Sequence, residues 1–335
     1  MKDGRSVARQ AGLLIVVFIA TFALLIGGRA LLGRAASDGI AHSAAPVLGG
    51  PIFSPAATAP PSAAPSGSAD VTVVLTGAGD IADCATGGAA KTSDLLLRET
   101  GFFFTAGDNA YENGSIQNFN DCYAPTWGRV LGRTIVPAPG NHDWVTPGAA
   151  GYRAYFGSTA TPQGVTWYST DLGAWHVIVL DSDCEFVGGC DDASPQGQWL
   201  HKDLADSSAH CTLAIWHHPR FSSGEHGDDG HVGPFWKQLY AAHAELVING
   251  HDHDYERFAP QDPSGRVARP GGIREIVVGT GGAELRTFRK QAVNSEFREA
   301  GVYGVLRLTL HPANYDWEFL PASGDIADSG STPCH

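Results

Sequence analysis

No two cysteines in this chain form a Cys-x-x-Cys pair, which argues against a zinc knuckle. Positive charge is also scarce. There are 22 Lys and Arg against 35 Asp and Glu, a formal net charge of −13, so a nucleic-acid backbone is a poor partner. That shortage leaves a small phosphate ester open, because bound cations would set the local potential. No internal repeat is present, and no cysteine follows the N-terminal apolar stretch, which excludes a lipoprotein anchor. Apolar periodicity is missing from residues 29–69, whose Ala, Pro, Ser and Gly text reads as a linker rather than a domain.

What is present begins at residues 11–28, an uncharged apolar stretch after Lys2, Arg5 and Arg9. It is short for a membrane span and long for a signal-peptide core. The basic residues favour a short cytoplasmic N-terminus over 1–10, although Arg29 and Arg34 weaken the bias, and Gly33 and Ala35 offer a signal-peptidase site. Transmembrane anchor and cleaved signal peptide both place the rest of the chain outside the cytoplasm, at the membrane or secreted. The six cysteines, an even number, then read as disulfides of an oxidising compartment. Proximity favours Cys184 with Cys190. The competing reading of Cys211 is a small buried hydrophobe at the start of a strand.

A hydrophobic content of 43 % suffices for a full core, and the folded part is expected as one domain over residues 70–335. Strand candidates are Val71-Leu75, Phe102-Thr105, Thr134-Pro137, Val165-Ser169, His176-Leu180, Thr212-Trp216, Leu246-Asn249, Arg274-Val278, Val305-Leu310 and Tyr315-Leu320. Helical patterns occur at Ala89-Glu99, Pro195-Ala205 and Val232-His243. An Asp-Leu-Gly turn and the segment around Asn314 suggest two hairpins. The mixture predicts an α/β fold with a mixed sheet or two packed sheets and helices outside.

The chemistry sits in short clusters that follow the apolar runs: Gly79-Asp80, Gly107 to Tyr111, Gly140 to Asp143, Trp216 to Pro219 and Gly250 to His253. Loops at strand ends are where open α/β sheets place ligands. Carboxylate, imidazole, amide carbonyl and phenolate all suit zinc, iron or manganese. A lone Asp after a strand is more often a turn former, but joint occurrence points to one centre, and the surplus of donors suggests two cations sharing a carboxylate. Glycine beside each donor keeps the centre uncrowded.

The text GDIAD, GDNAY, GNHD, WHHP and GHDHDYER resembles the calcineurin-type metallophosphoesterase superfamily, and more narrowly its purple-acid-phosphatase-like branch. The superfamily's first motif is usually Asp-x-His, and here Ala82 stands in the histidine's place. Purple acid phosphatases lack that histidine too and use a tyrosine, matched by Tyr111. The resemblance implies a four-layer α/β/β/α sandwich and a pair of metal ions, iron with zinc, manganese or a second iron. One metal would take Asp80, Tyr111 and His253, the other Asn141, His217 and His251, with Asp108 bridging. His217 is favoured over His218 because the family ligand stands two residues before proline. His142 would contact the phosphate and assist the leaving oxygen, Asp143 would orient it, and His226 would be a second substrate contact. The expected activity is phosphomonoester hydrolysis by metal-activated hydroxide. The alternative is a phosphodiesterase acting on nucleotides or lipid head groups. A binding protein with a vestigial metal site is disfavoured, because every ligand position holds a competent residue.

Overall fold

The computed structural model describes residues 71–325 and 328–335. The expected cytoplasmic N-terminus, apolar stretch and linker lie outside the described residues. Among those described, no helix is long and apolar enough to cross a membrane.

Among the described residues, thirteen strands run in chain order as β1 (Val73–Ala78), β2 (Phe102–Ala106), β3 (Thr134–Ala138), β4 (Tyr168–Leu172), β5 (Trp175–Val179), β6 (Cys211–Ile215), β7 (Leu246–Asn249), β8 (Tyr255–Phe258), β9 (Arg274–Val278), β10 (Ser295–Glu299), β11 (Gly304–Leu310), β12 (Asn314–Pro321) and β13 (Ser329–Pro333). The helices are α1 (Gly88–Leu96), α2 (Ile116–Asn118), α3 (Asn141–Val145), α4 (Ala150–Phe156), α5 (Pro195–Asp206) and α6 (Gly233–Ala241). The strands form two mixed sheets, in the order β13-β12-β11-β1-β2-β3 and β10-β8-β9-β7-β6-β5-β4. Strands β1, β2 and β3 are mutually parallel, as are β5, β6, β7 and β9.

Period-two alternation explains how the layers stack. Trp175, Val177, Val179, Leu213, Ile215, Leu246, Ile248, Ile276 and Val278 share one core with Leu75, Leu306, Leu308 and Leu310 of the first sheet. The intervening residues Ile178, Ala214, Trp216 and Val247 face the opposite way, against Leu200 of α5 and Phe235, Trp236 and Leu239 of α6. Strands β5, β6, β7 and β9 are therefore buried on both faces, and their sequences read as near-continuous apolar runs. On the first sheet α1 lies against β11. The expected two-sheet α/β architecture is what the chain adopts.

The candidate strands recur within a few residues of their expected ends, except that Val165-Ser169 moves to Tyr168–Leu172. Thr166 instead directs its hydroxyl to Asp181 Oδ2 at 2.5 Å, and the hairpin turns at Gly173, whose φ is 62°. Strands β8, β10 and β13 and the short helices α2, α3 and α4 were not foreseen.

Three disulfides, Cys84–Cys122, Cys184–Cys190 and Cys211–Cys334, use every cysteine. The expected 184–190 pair is present, and Cys211 is a bridge partner rather than a free hydrophobe. Cys211–Cys334 closes a separation of 123 residues, tying β6 to the C-terminal segment. Replacing both of its cysteines by serine is expected to lower stability by about 2–5 kcal/mol. Denaturant unfolding checks this, as a lower midpoint with a steeper slope, because the uncrosslinked unfolded chain exposes more surface.

Candidate metal centre

Each cluster singled out in the sequence follows the C-terminal end of a parallel strand. Asp80 follows β1, Asp108 and Tyr111 follow β2, Asn141 follows β3, His217 follows β6, and His251 and His253 follow β7. The two sheets thus deliver their strand-end loops to one place. The loops turn sharply there: Asp80, Asp108 and His251 have φ of 58°, 49° and 72°, a region that non-glycine residues rarely adopt and that collects at functional sites. Two glycines make room. A Cβ on Gly107 would lie 2.4 Å from His217 Nδ1, and one on Gly140 would lie 2.3 Å from Asp108 Oδ1.

On one side, Tyr111 Oη lies 2.9 Å from Asp80 Oδ1, 3.1 Å from Asp108 Oδ2 and 3.3 Å from His253 Nε2. His253 Nε2 is 3.3 Å from Asp80 Oδ1. On the other side, His217 Nε2 lies 3.3 Å from Asp108 Oδ2, 3.1 Å from Asn141 Oδ1 and 3.2 Å from His251 Nδ1. Asp108 belongs to both groups. Asp80, Asp108 and His217 are buried with ligand atoms close enough to hold a cation together.

The residues present fit positive charge in this pocket. The phenol has a single proton for two carboxylate oxygens and an imidazole nitrogen, so lone pairs outnumber protons. Burial works to lower the His217 pKa, yet the Asp108 carboxylate beside it pushes it up to about 10. Burial and the neighbouring His218 and His217 hold His251 well below its ordinary range, which leaves it a neutral donor. The histidines are also aimed. His217 Nδ1 meets the Ala106 carbonyl at 2.9 Å and His253 Nδ1 meets the Glu284 carbonyl at 2.6 Å, so each presents Nε2 to the centre.

His142 is placed at the rim, with Nε2 3.9 Å from Asp108 Oδ2 and its ring 4.4 Å from that of Tyr111. Its orientation corrects one expectation. Nδ1 meets the Glu112 carbonyl at 2.6 Å, not Asp143. The buried Asp143 carboxylate instead accepts from Gly140 N at 3.0 Å and from Asn109 N and Nδ2 at 3.2 and 2.9 Å. Asp143 therefore splices the Asn109 and Gly140 loops together. Burial and the Asp108 charge push its carboxyl up to about 7.

His226 reaches the centre from the 222–227 loop, its ring 4.1 Å from His251. The loop is moored by Asp252, which accepts from His226 N at 2.7 Å and Gly227 N at 3.2 Å. Arg286 was missed by sequence reasoning. Its Nη1 lies 2.6 Å from His226 Nε2, and its backbone N–H donates to the His253 carbonyl at 3.1 Å. The signal was the basic run Arg286, Arg289 and Lys290 after Gly281-Gly282.

A sequence profile of calcineurin-like phosphoesterases matches residues 75–255. Purple acid phosphatase 21 of Arabidopsis thaliana is 28 % identical over 274 residues, covering 72 % of this chain and 58 % of that protein. Acid phosphatase A of Cryphonectria parasitica is 26 % identical over 290 residues, covering 67 % of this chain and 57 % of that protein. The solved structure of a purple acid phosphatase from yellow lupin (Lupinus luteus) seeds is similar in fold, with a TM-score of 0.66 at 20 % identity over 81 % of this chain and 55 % of that one. The chain spans under two thirds of the length of each of these relatives.

Proposed function

Because the chain belongs to the calcineurin-like phosphoesterase family, in its purple-acid-phosphatase-like branch, we propose that it is an extracytoplasmic, dinuclear-metal hydrolase of phosphomonoesters. The observation that carries this reading is the convergence of two donor groups on the shared Asp108 carboxylate. Asp80, Tyr111 and His253 would hold one cation and Asn141, His217 and His251 the other. The substrate is a small phosphate ester, converted with one water to an alcohol and inorganic phosphate. The cations, when bound, would lower the pKa of water and neutralise charge on the phosphoryl oxygens. Around them the chain's own groups bind and move protons. His142, fixed at Nδ1 by the Glu112 carbonyl, offers Nε2 to the departing oxygen. His226, fixed at Nε2 by Arg286, faces the substrate over His251. Asp143 supports the site by joining two of its loops.

Three disulfides and no free cysteine support an oxidising compartment. We place residues 70–335 there as the catalytic domain, delivered by the 11–28 segment as a membrane anchor or cleaved signal, with 29–69 as linker. For the metals we propose ferric iron beside Tyr111, with zinc, manganese or a second iron at the other position. Burial and the Asp108 and Asp80 charges hold the Tyr111 phenol well above its ordinary range, so a strongly polarising cation is needed to make it a phenolate ligand. Tyr111→Phe is then expected to abolish a visible charge-transfer band while keeping the fold, checked by absorption and circular dichroism. A band that survives the substitution counts against this assignment.

The test of function compares turnover of the purified, metal-loaded protein on an aryl phosphomonoester and on the matching bis-aryl diester. A strong monoester preference is expected. A diester preference overturns the substrate class and leaves the metal centre standing.

A further inference from the structure

The two flanks of the centre differ in their cationic groups: Arg286, whose Nε is 3.7 Å from Glu225 Oε2, stands on one, and no Lys or Arg lines the other. His251 stands between His226, with ring centroids 4.1 Å apart, and His218, 4.3 Å apart. On the His226 flank lies the Arg286 guanidinium. On the His218 flank opens a cavity of 230 Å³, lined by His218, Asp229 and the segment after β5 that carries Asp183 and Glu185. His218 belongs to the cavity wall and touches His251, so the cavity adjoins the centre.

The lining is acidic, with no Lys or Arg in it. Asp229 is already engaged, by His231 N at 2.7 Å and His231 Nδ1 at 3.0 Å. Asp183 is not. It is 6 % exposed, and its Oδ2 has no hydrogen-bond partner. A buried carboxylate oxygen without a partner is unfavourable, and an organic cation entering the cavity would offset its charge. Burial and the adjacent Asp181 push the Asp183 carboxyl well above its ordinary range, the direction an ammonium neighbour would reverse. Glu185 adds a second carboxylate, and Phe186 beside it is 51 % exposed, stacked on Trp144 at 5.1 Å.

We propose that this cavity is the leaving-group subsite of the phosphomonoester hydrolysis proposed above, on which this inference rests, and that it takes an organic cation. The substrates are then phosphomonoesters of small amino alcohols. Arg286 draws the phosphate to one flank and the Asp183–Glu185 cavity draws the ammonium to the other, which fixes the ester's direction across the centre.

The experiment uses the full-length, metal-loaded protein with choline phosphate and its neutral carbon isostere, 3,3-dimethylbutyl phosphate, with an aryl phosphate as reference. In the wild type, kcat/KM is expected to favour choline phosphate by about ten-fold or more, the coulombic gain of a cation beside two carboxylates. In Glu185→Gln and in Asp183→Asn the ratio should fall toward one, and Glu185→Gln, on an exposed side chain, guards against a folding defect in the buried variant. Calorimetric titration with choline chloride gives a second readout: binding by the wild type that weakens in Glu185→Gln. Turnover of the aryl phosphate and the isostere without preference for choline phosphate overturns the subsite alone. Failure to turn over any of the three esters overturns the phosphomonoesterase reading, and calorimetry then judges the cation site by itself.

Discussion

Asp108→Ala is expected to strip both cations and lower turnover by about 1,000-fold or more. Asp108 Oδ2 is 3.1 Å from the Tyr111 oxygen on one side and 3.3 Å from His217 Nε2 on the other, so one oxygen adjoins donor atoms of both groups. Its second oxygen accepts from His142 N at 2.8 Å, which anchors the loop carrying Asn141 and His142. Removing the carboxylate therefore subtracts a negative charge from both halves and loosens a third donor. Asp80→Ala and His217→Ala each belong to one half and should impair one cation more than the other. Metal analysis alongside circular dichroism separates loss of the centre from loss of fold. Asp108→Ala protein that keeps two metals per chain and a tenth of wild-type turnover would show that Asp108 does not bridge.

The strands that position this centre were the legible part of the fold, because strands buried on both faces write themselves as near-continuous runs rich in Val, Ile and Leu. LVIN and REIVV lie where the sequence indicated. Strands β10 and β13, SEFRE and SGSTP, carry mostly part-exposed side chains and no apolar alternation, so nothing local announces them. Their partners β8 and β12 supply the ladder instead. The donor clusters were legible for a different reason: their chemistry is concentrated in residues adjacent along the chain, and the structure gathers them all. The supporting contacts were not. Glu112 acts on His142 through a backbone carbonyl, which every residue has, and Arg286 meets His226 across 60 positions of sequence. Asp143 misled for the same reason. Adjacency to His142 suggested a hydrogen bond, but the turn at Gly140 and Asn141 points its carboxylate back toward Gly140 and Asn109.

That geometry sharpens the expectation for His142. In His142→Ala the proposed metal donors are all intact, so both cations should remain while turnover falls by about 100-fold, the contribution of a positioned acid. The ring is anchored by the Glu112 carbonyl at Nδ1, which leaves Nε2 as the working nitrogen, and its side chain is 27 % exposed at the rim, within reach of a bound ester. A group that protonates the departing oxygen matters most when that oxygen is a poor leaving group. The loss should therefore be largest for alkyl phosphates and shrink for nitrophenyl phosphate, whose oxygen departs without help. A ring that only neutralised phosphate charge would instead produce the same loss for every leaving group. Measuring kcat for His142→Ala and wild type across a series of leaving-group pKa values decides between them: divergent slopes establish the proton transfer, and parallel slopes assign His142 to phosphate binding alone.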